Sequence, residues 1–561
     1  MSLTLWYLLL YAAAAIIIVS VFIYEHRKNR QYFLQHVLGT FGTKPPDIKY
    51  DFDELRLYWD SIAEEIPAAE KIDEVTWNDL EMDLLFKRIC RCSSFAGGQV
   101  LYASLHHLAS PEDSLEFDKL AGYFQSHQEP REKVQAVFYR LGCEEAGFCI
   151  PSFISDLDNL DLSHKSIYRL LQVLLAALLL ASAVTWSQTL ALSALAVFVV
   201  NAAVYTIQKQ KIEIYLDTLG SIIRLVRAAK KLSSMNLQCG TEPLYKLPEH
   251  ISKNQALFDR LARRTARLQK KKQAVITGDI AGILQDYVIG ATFWDFTCYT
   301  QVINLLKGHG SEFMELLKYA GTIDMAVSVA SFRESLPLYC VPSSVTEPVI
   351  HAEGLYHPLL DSPVCNDITL SRTCIITGSN ASGKSTFIKA AAINAILAQT
   401  ISTCTAAFFA LPPSQVITSM AVRDDLISGE SYYIREIRYL GRIIKSLDTG
   451  RLAFCIIDEI LRGTNTSERI AASAAILKFL SRPGCLPLVA SHDRELADIL
   501  GDRCQCSYFG EQVKDSDVCF DYKIHDGICS TFNAVRLLEF TGFPKEIIRE
   551  ARCLLMHSPR S

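Results

Sequence analysis

The residues best suited to chemistry lie in CIITGSNASGKSTFIKA, residues 374–390. Within it, GSNASGKS (378–385) has the spacing G-x-x-x-x-G-K-[ST]. Glycines at Gly378 and Gly383 let backbone amides approach phosphate oxygens, and a helix starting there adds partial positive charge. Lys384 is placed to reach the β/γ-phosphates of ATP, and Ser385 to hold Mg2+. Ser379, Asn380, Ala381, Ser382 and Thr386 complete the candidate loop. The motif needs a strand before it and a helix after it. Apolar Cys374, Ile375 and Ile376 predict that strand, and TFIKAAAINAILAQ predicts the helix.

Two further segments complete such a site. In RLAFCIIDEI (451–460) an apolar run ends in two acids. Runs of this kind form strands buried in parallel sheets. Asp458 is placed to join the Mg2+ shell, and Glu459 to polarise the attacking water. In LPLVASHDREL (486–496) another apolar run ends at Ser491 and His492. The carboxyl edge of a parallel sheet is where nucleotides bind. His492 is thus a candidate γ-phosphate sensor; a solvated strand-end histidine is the alternative.

The rest of the chain must position these groups. A length of 561 residues calls for two to four domains. Net charge is −5, so no global basic signal points to nucleic acid. The 17 cysteines are scattered, and the CxC pairs Cys90/Cys92 and Cys504/Cys506 lack partners for a tetrahedral metal site. They read as reduced thiols.

Residues 1–24 carry no charge, enough apolar length to cross a bilayer. A cleaved signal peptide would need a basic region ahead of it; Arg27, Lys28 and Arg30 follow instead. The positive-inside rule then places the following chain in the cytoplasm. Leu170 to Gln208 is a second uncharged stretch, broken by TWSQT at 185–189 and flanked by Lys165, Arg169, Lys209 and Lys211. It predicts a transmembrane hairpin with both ends cytoplasmic; a hairpin buried in a soluble core is the alternative.

The C-terminal third resembles the MutS family of ABC-like ATPases. The likeness rests on YHPLL (356–360), CNDITL, TGSNASGKST, RDDLISGESYYIREI (423–437), DEILRGTNTSE (458–468), SHDREL in the place of T-H-x-x-E-L, and residues 518–552 as a closing strand pair and helix-turn-helix. Weaker similarity covers residues 76–105 and 321–342, as the start and end of a core domain. The resemblance implies an α/β P-loop, ABC-like ATPase domain and a mostly α-helical core and lever domain, to which the apolar stretches add transmembrane helices. The expected organisation is a transmembrane helix at 1–24, a cytoplasmic helical region at 25–165 with the core-like stretch from about 76, and a transmembrane hairpin at 166–208. A helical core and lever continuation follows at 209–345. The ATPase domain with its helix-turn-helix occupies 346–553, and a tail 554–561.

The resemblance further implies a homodimer closing through its ATPase domains, with Ser431 of one subunit offered to the γ-phosphate held by the other. Ser382, Tyr432 and Leu461 depart from the usual residues, and Pro363 stands where an aromatic often stacks on adenine. No mismatch-reading domain fits before residue 76, so mismatch recognition is not expected. DNA association is implied only by family. Its best local candidate is DRLARRTARLQKKKQ (259–273), with Leu257, Leu261, Thr265 and Leu268 tracing the inward stripe. That basic face suits nucleic acid, anionic lipid headgroups, or plain solvent. Two readings follow: a multi-pass cell-membrane, Mg-dependent ATPase coupled to DNA, or an ATP-driven membrane mechanotransducer working through the hairpin. The protein partner is left open by either.

Overall fold

The computed structural model describes residues 20, 24, 27–28, 30–159, 165–237, 239–276, 292–379, 382–420, 432–447, 450–461, 463–514, 517–528 and 543–557. The chain forms two compact units. The first comprises residues 1–65, 89–103 and 119–335, and the second residues 66–88, 104–118 and 336–561. The predicted span 1–24 lies almost wholly outside the described residues.

The first unit is helical. Its main helices are α1 (Phe52–Ile62), α2 (Phe95–His106), α3 (Lys165–Thr185), α4 (Gln188–Ser233), α5 (Gln255–Ile276), α6 (Trp294–Leu306) and α7 (Gly310–Glu334). Asp51 caps α1 by accepting from the amides of Asp53 and Glu54, as short polar residues do at helix starts. Within α3 and α4, Ile167–Thr185 and Gln188–Ile207 are long and apolar enough to cross a membrane, with mean hydropathies of 2.0 and 2.1. Little of either is buried, and Leu180, Val184, Leu192 and Val199 stand exposed. The chain turns between them at Trp186, which has φ 53° and is 91 % exposed. α4 does not stop where the charges resume at Lys209. No glycine or proline interrupts residues 188–219, and Gln, Lys, Ile and Glu there sustain a helix. Its last third buries Leu219, Ile222, Ile223, Val226 and Ala229 in this unit's core.

On α5 the inward row is Phe258, Leu261 and Thr265, all at most 1 % exposed, with Leu257 only half-buried. Arg260, Arg263 and Arg264 face outward. The side chains from residue 266 onward, including Leu268, lie outside the described set.

Asp324 on α7 is wholly buried and accepts from the Ser94 amide (2.9 Å), the Ser94 hydroxyl (2.6 Å) and the Ser93 amide (3.3 Å). Burial pushes its carboxyl up to about 7 against the pull of those bonds. An unfolded aspartate titrates near pH ~3.9. Between these values the folded chain holds an extra proton. This contribution to stability is therefore fully present below about pH 4 and is lost as pH rises through 7. Asp324→Asn is expected to remove that slope. Melting curves of both proteins at pH 4.5 and 7.5 test it, and equal slopes would refute the assignment.

The second unit holds both sheets. A four-stranded sheet has the order β1 (Ser343–Ser344), β5 (Phe408–Leu411), β2 (Ile350–Leu355), β3 (Asn366–Leu370). The six-stranded sheet runs β10 (Asp517–Asp526), β9 (Cys504–Lys514), β4 (Thr373–Thr377), β8 (Cys485–Ala490), β7 (Leu452–Asp458), β6 (Ser414–Ser419). All its pairs are parallel except β9–β10. β4 and β8 are buried along their whole length, which is why their sequences are unbroken apolar runs rather than alternating ones. The helices are α8 (Lys384–Thr400), α9 (Tyr432–Ser446), α10 (Thr466–Leu480), α11 (Glu495–Leu500) and α12 (Lys545–His557). α8 is apolar on nearly every side and is correspondingly buried. The unit also includes the short helix Glu74–Asp79, outside the predicted ATPase boundaries. Thr418 on β6 donates its hydroxyl to Asp79 (2.7 Å) and its amide to Thr76 (3.2 Å).

Candidate nucleotide site

Strand register brings the three sequence segments together. Ile376 on β4 pairs with Ala490 on β8, and Ala490 pairs with Asp458 on β7. One rung of the sheet therefore carries the phosphate loop, the acid pair and the histidine segment to the same carboxyl edge. The pairing extends one residue past the strands: Glu459 donates its amide to Ala490 O (2.9 Å), and Ser491 to Ile376 O (3.0 Å).

The loop leaves β4 through Gly378, at φ 139°, and enters α8 through Gly383, at φ 99°. Both angles favour glycine. A Cβ at Gly378 would lie 2.7 Å from the Phe509 carbonyl oxygen. Lys384 is 3 % exposed, and its ammonium donates to Gly378 O and Ser379 O, each at 2.6 Å. Its charge thus lies inside the curl of the loop. Ser382, the departure from the usual glycine, is accommodated because its hydroxyl donates back to Ser379 O (2.7 Å). The Ser379 hydroxyl is buried with no partner among the described residues. An orphaned donor beside a curled lysine suits an anion with several oxygens. Asn380 and Ala381 lie outside the described residues.

After β7 the backbone turns sharply. Glu459 has φ 60° and Leu461 φ 57°. Leu461 thus adopts the left-handed conformation that glycine takes most easily, and it is buried, at 4 % exposure. The turn aims Glu459 Oε1 at His492 Nε2, 2.7 Å away. Asp458 stands beside it at 9 % exposure. A carboxylate held by an imidazole at the edge of a phosphate loop can accept a proton from water. Ser431 lies outside the described residues.

A cavity of about 360 Å³ adjoins the loop, lined by Tyr356, His357, Asn366, Ser385, Thr386 and Tyr522 among others. Tyr522 was not found from sequence. It sits at φ 53° in a bulge where the β9–β10 register shifts between Phe520 and Ile524. Asn366 fixes that bulge, donating to Tyr522 O (3.0 Å) and accepting from the Ile524 amide (2.9 Å). A Cβ at Gly383 would lie 3.1 Å from the Tyr522 ring, so that ring rests against the end of the phosphate loop. His357 is held neutral: burial first, then the Lys389 charge, push its imidazole down to about 4. The YHPLL similarity marks this segment but gives His357 no role.

Comparison with known proteins agrees with this geometry. Residues 374–557 match MutS domain V. The chain is 28 % identical over 278 residues to the DNA mismatch repair protein MutS of Lactobacillus delbrueckii subsp. bulgaricus, covering 47 % of this chain and 32 % of that protein. It is 25 % identical over 329 residues to the MutS of Methanosarcina barkeri, covering 56 % and 35 %. It is 28 % identical over 263 residues to the MutS of Thermotoga maritima, covering 45 % and 33 %. The chain thus spans about a third of the length of the curated relatives it matches. With the phosphate loop, the acid pair and the histidine on one sheet edge within the matched region, residues 374–557 form a MutS-type domain V.

Proposed function

We propose that this protein is a membrane-anchored MutS-type ATPase that binds and hydrolyses ATP between the ATPase domains of a homodimer, coupled to DNA. One observation carries the ATPase reading: a lysine curled into a phosphate loop on the same sheet rung as Asp458, Glu459 and His492. Loop amides and Lys384 hold the phosphates, and the Tyr522 ring offers a face for the base where Pro363 cannot. Ser385 and Asp458 would hold a magnesium ion, which screens phosphate charge when bound. Glu459 takes the proton of the attacking water, and His492 keeps that carboxylate turned toward it. Anchoring is supported by the two bilayer-length helices, and on the positive-inside rule this reading has the ATPase domain on the cytoplasmic side of a multi-pass cell-membrane protein. The DNA role is supported by the names of the relatives and by the outward Arg260, Arg263 and Arg264.

A second reading has its own observation. α4 runs 46 residues without a break, about 70 Å, from the bilayer-length segment into the core of the first unit. A tether needs no such continuity, whereas a rod that carries motion to or from the bilayer does. The test is phosphate release by the purified protein in lipid nanodiscs, with and without duplex, branched and mismatched DNA, at two salt concentrations. Stimulation that fades with salt is the expected result for the DNA reading. A rate indifferent to every DNA but changed by lipid composition selects the mechanotransducer. Absence of hydrolysis under all conditions sinks the ATPase assignment.

A further inference from the structure

Arg469 stands in the first turn of α10, after the loop that follows the Glu459 turn. Its guanidinium grips the Asp493 carboxylate at two points, Nε to Oδ2 at 2.9 Å and Nη2 to Oδ1 at 2.7 Å. Both side chains are largely shielded, at 25 % and 14 % exposure. Asp493 directly follows His492, and its amide donates to the Ser491 hydroxyl (3.1 Å). The residues on both sides of His492 are therefore tied, one to the other and one to α10. The same guanidinium also feels the charges of Glu459 and Glu495. In the T-H-x-x-E-L pattern, Asp493 falls on an unspecified position, so the resemblance gives it no duty.

We infer that Arg469 and Asp493 form a positioning couple that holds the His492 loop in register with Glu459. The physical case rests on shape. A planar two-point contact fixes orientation as well as distance, which a single hydrogen bond does not. It joins two parts that bear on the Glu459–His492 contact at 2.7 Å: the strand-end loop carrying the histidine and the helix following the acid. Among the described residues the side-chain bonds of Arg469 and Asp493 run to one another, and the inference rests on the ATPase reading above. Loss of the couple should therefore slow turnover while leaving ATP affinity intact.

The experiment uses the full chain in nanodiscs, with phosphate release for kcat and a fluorescent ATP analogue for Kd. Arg469→Gln and Asp493→Asn are each expected to lower kcat by about tenfold or more, with Kd within about twofold, because small misplacements of reacting groups are costly. The double variant should be no slower than either single one, since the two act as a unit. Asp493→Glu, which keeps the carboxylate, should recover most of the rate. Unchanged kcat in either single variant, or a double variant as slow as the product of the two losses, overturns the couple. A variant that loses nucleotide binding along with turnover marks the pair as merely structural and also overturns it. A parent protein without ATP hydrolysis overturns the ATPase reading and this inference together, whereas an active parent with unaffected variants overturns this inference alone.

Discussion

Lys384→Ala is expected to abolish ATP-dependent activity and to weaken ATP binding by roughly tenfold to a hundredfold, the value of hydrogen bonds to a charged group. The ammonium is the only part of the curled loop that brings full positive charge to the phosphates. It also satisfies Gly378 O and Ser379 O, so its loss relaxes the loop as well. A further factor of about 10² to 10³ in turnover follows from losing a preorganised charge at the transition state. Together these put hydrolysis below detection. Phosphate release and displacement of a fluorescent nucleotide measure the two effects, with a melting curve to confirm folding. Tyr522→Ala makes the contrast: it keeps every phosphate contact and removes only the ring beside Gly383, so its effect falls on affinity rather than on kcat. Turnover by Lys384→Ala within twofold of the parent would sink the site.

The site was readable from sequence to the extent that its parts are local. β4, β7 and β8 announce themselves because parallel strands buried on both faces need unbroken apolar runs, and the candidate residues sit at their ends. Tyr522 was hidden because a bulge, not side-chain alternation, sets its orientation. The left-handed backbone at Glu459 and Leu461 was hidden too, since neither residue type favours it. Arg469 and Asp493 are 24 residues apart and share no periodicity; only the fold of the sheet brings them together. The same holds for Thr76 and Asp79, whose bonds to Thr418 draw residues 66–88 into the second unit. The full length of the helix that carries the second apolar stretch was hidden for another reason. Charge at Lys209 marks where lipid would end, but it does not end a helix, and α4 continues to Ser233.

Glu459→Gln is expected to separate binding from hydrolysis. Glutamine has the shape of glutamate and still offers an oxygen to His492, so the turn and the imidazole contact should persist. It cannot accept a proton from water. Removing a general base typically costs about 10² to 10⁴ in rate. ATP affinity should be unchanged, because the phosphate loop and Asp458 are untouched. Under the homodimer proposal this variant, given saturating Mg-ATP, should accumulate as a closed dimer, while the parent returns to monomer as it turns over. Adding Lys384→Ala to it should abolish the dimer, because closure is driven by the bound nucleotide rather than by the substitution. Mass photometry in detergent, read beside phosphate release, distinguishes the possibilities. Full turnover by Glu459→Gln would remove Glu459 from its role as base. A variant that binds ATP, fails to hydrolyse it and stays monomeric would leave the site standing and refute closure across two subunits.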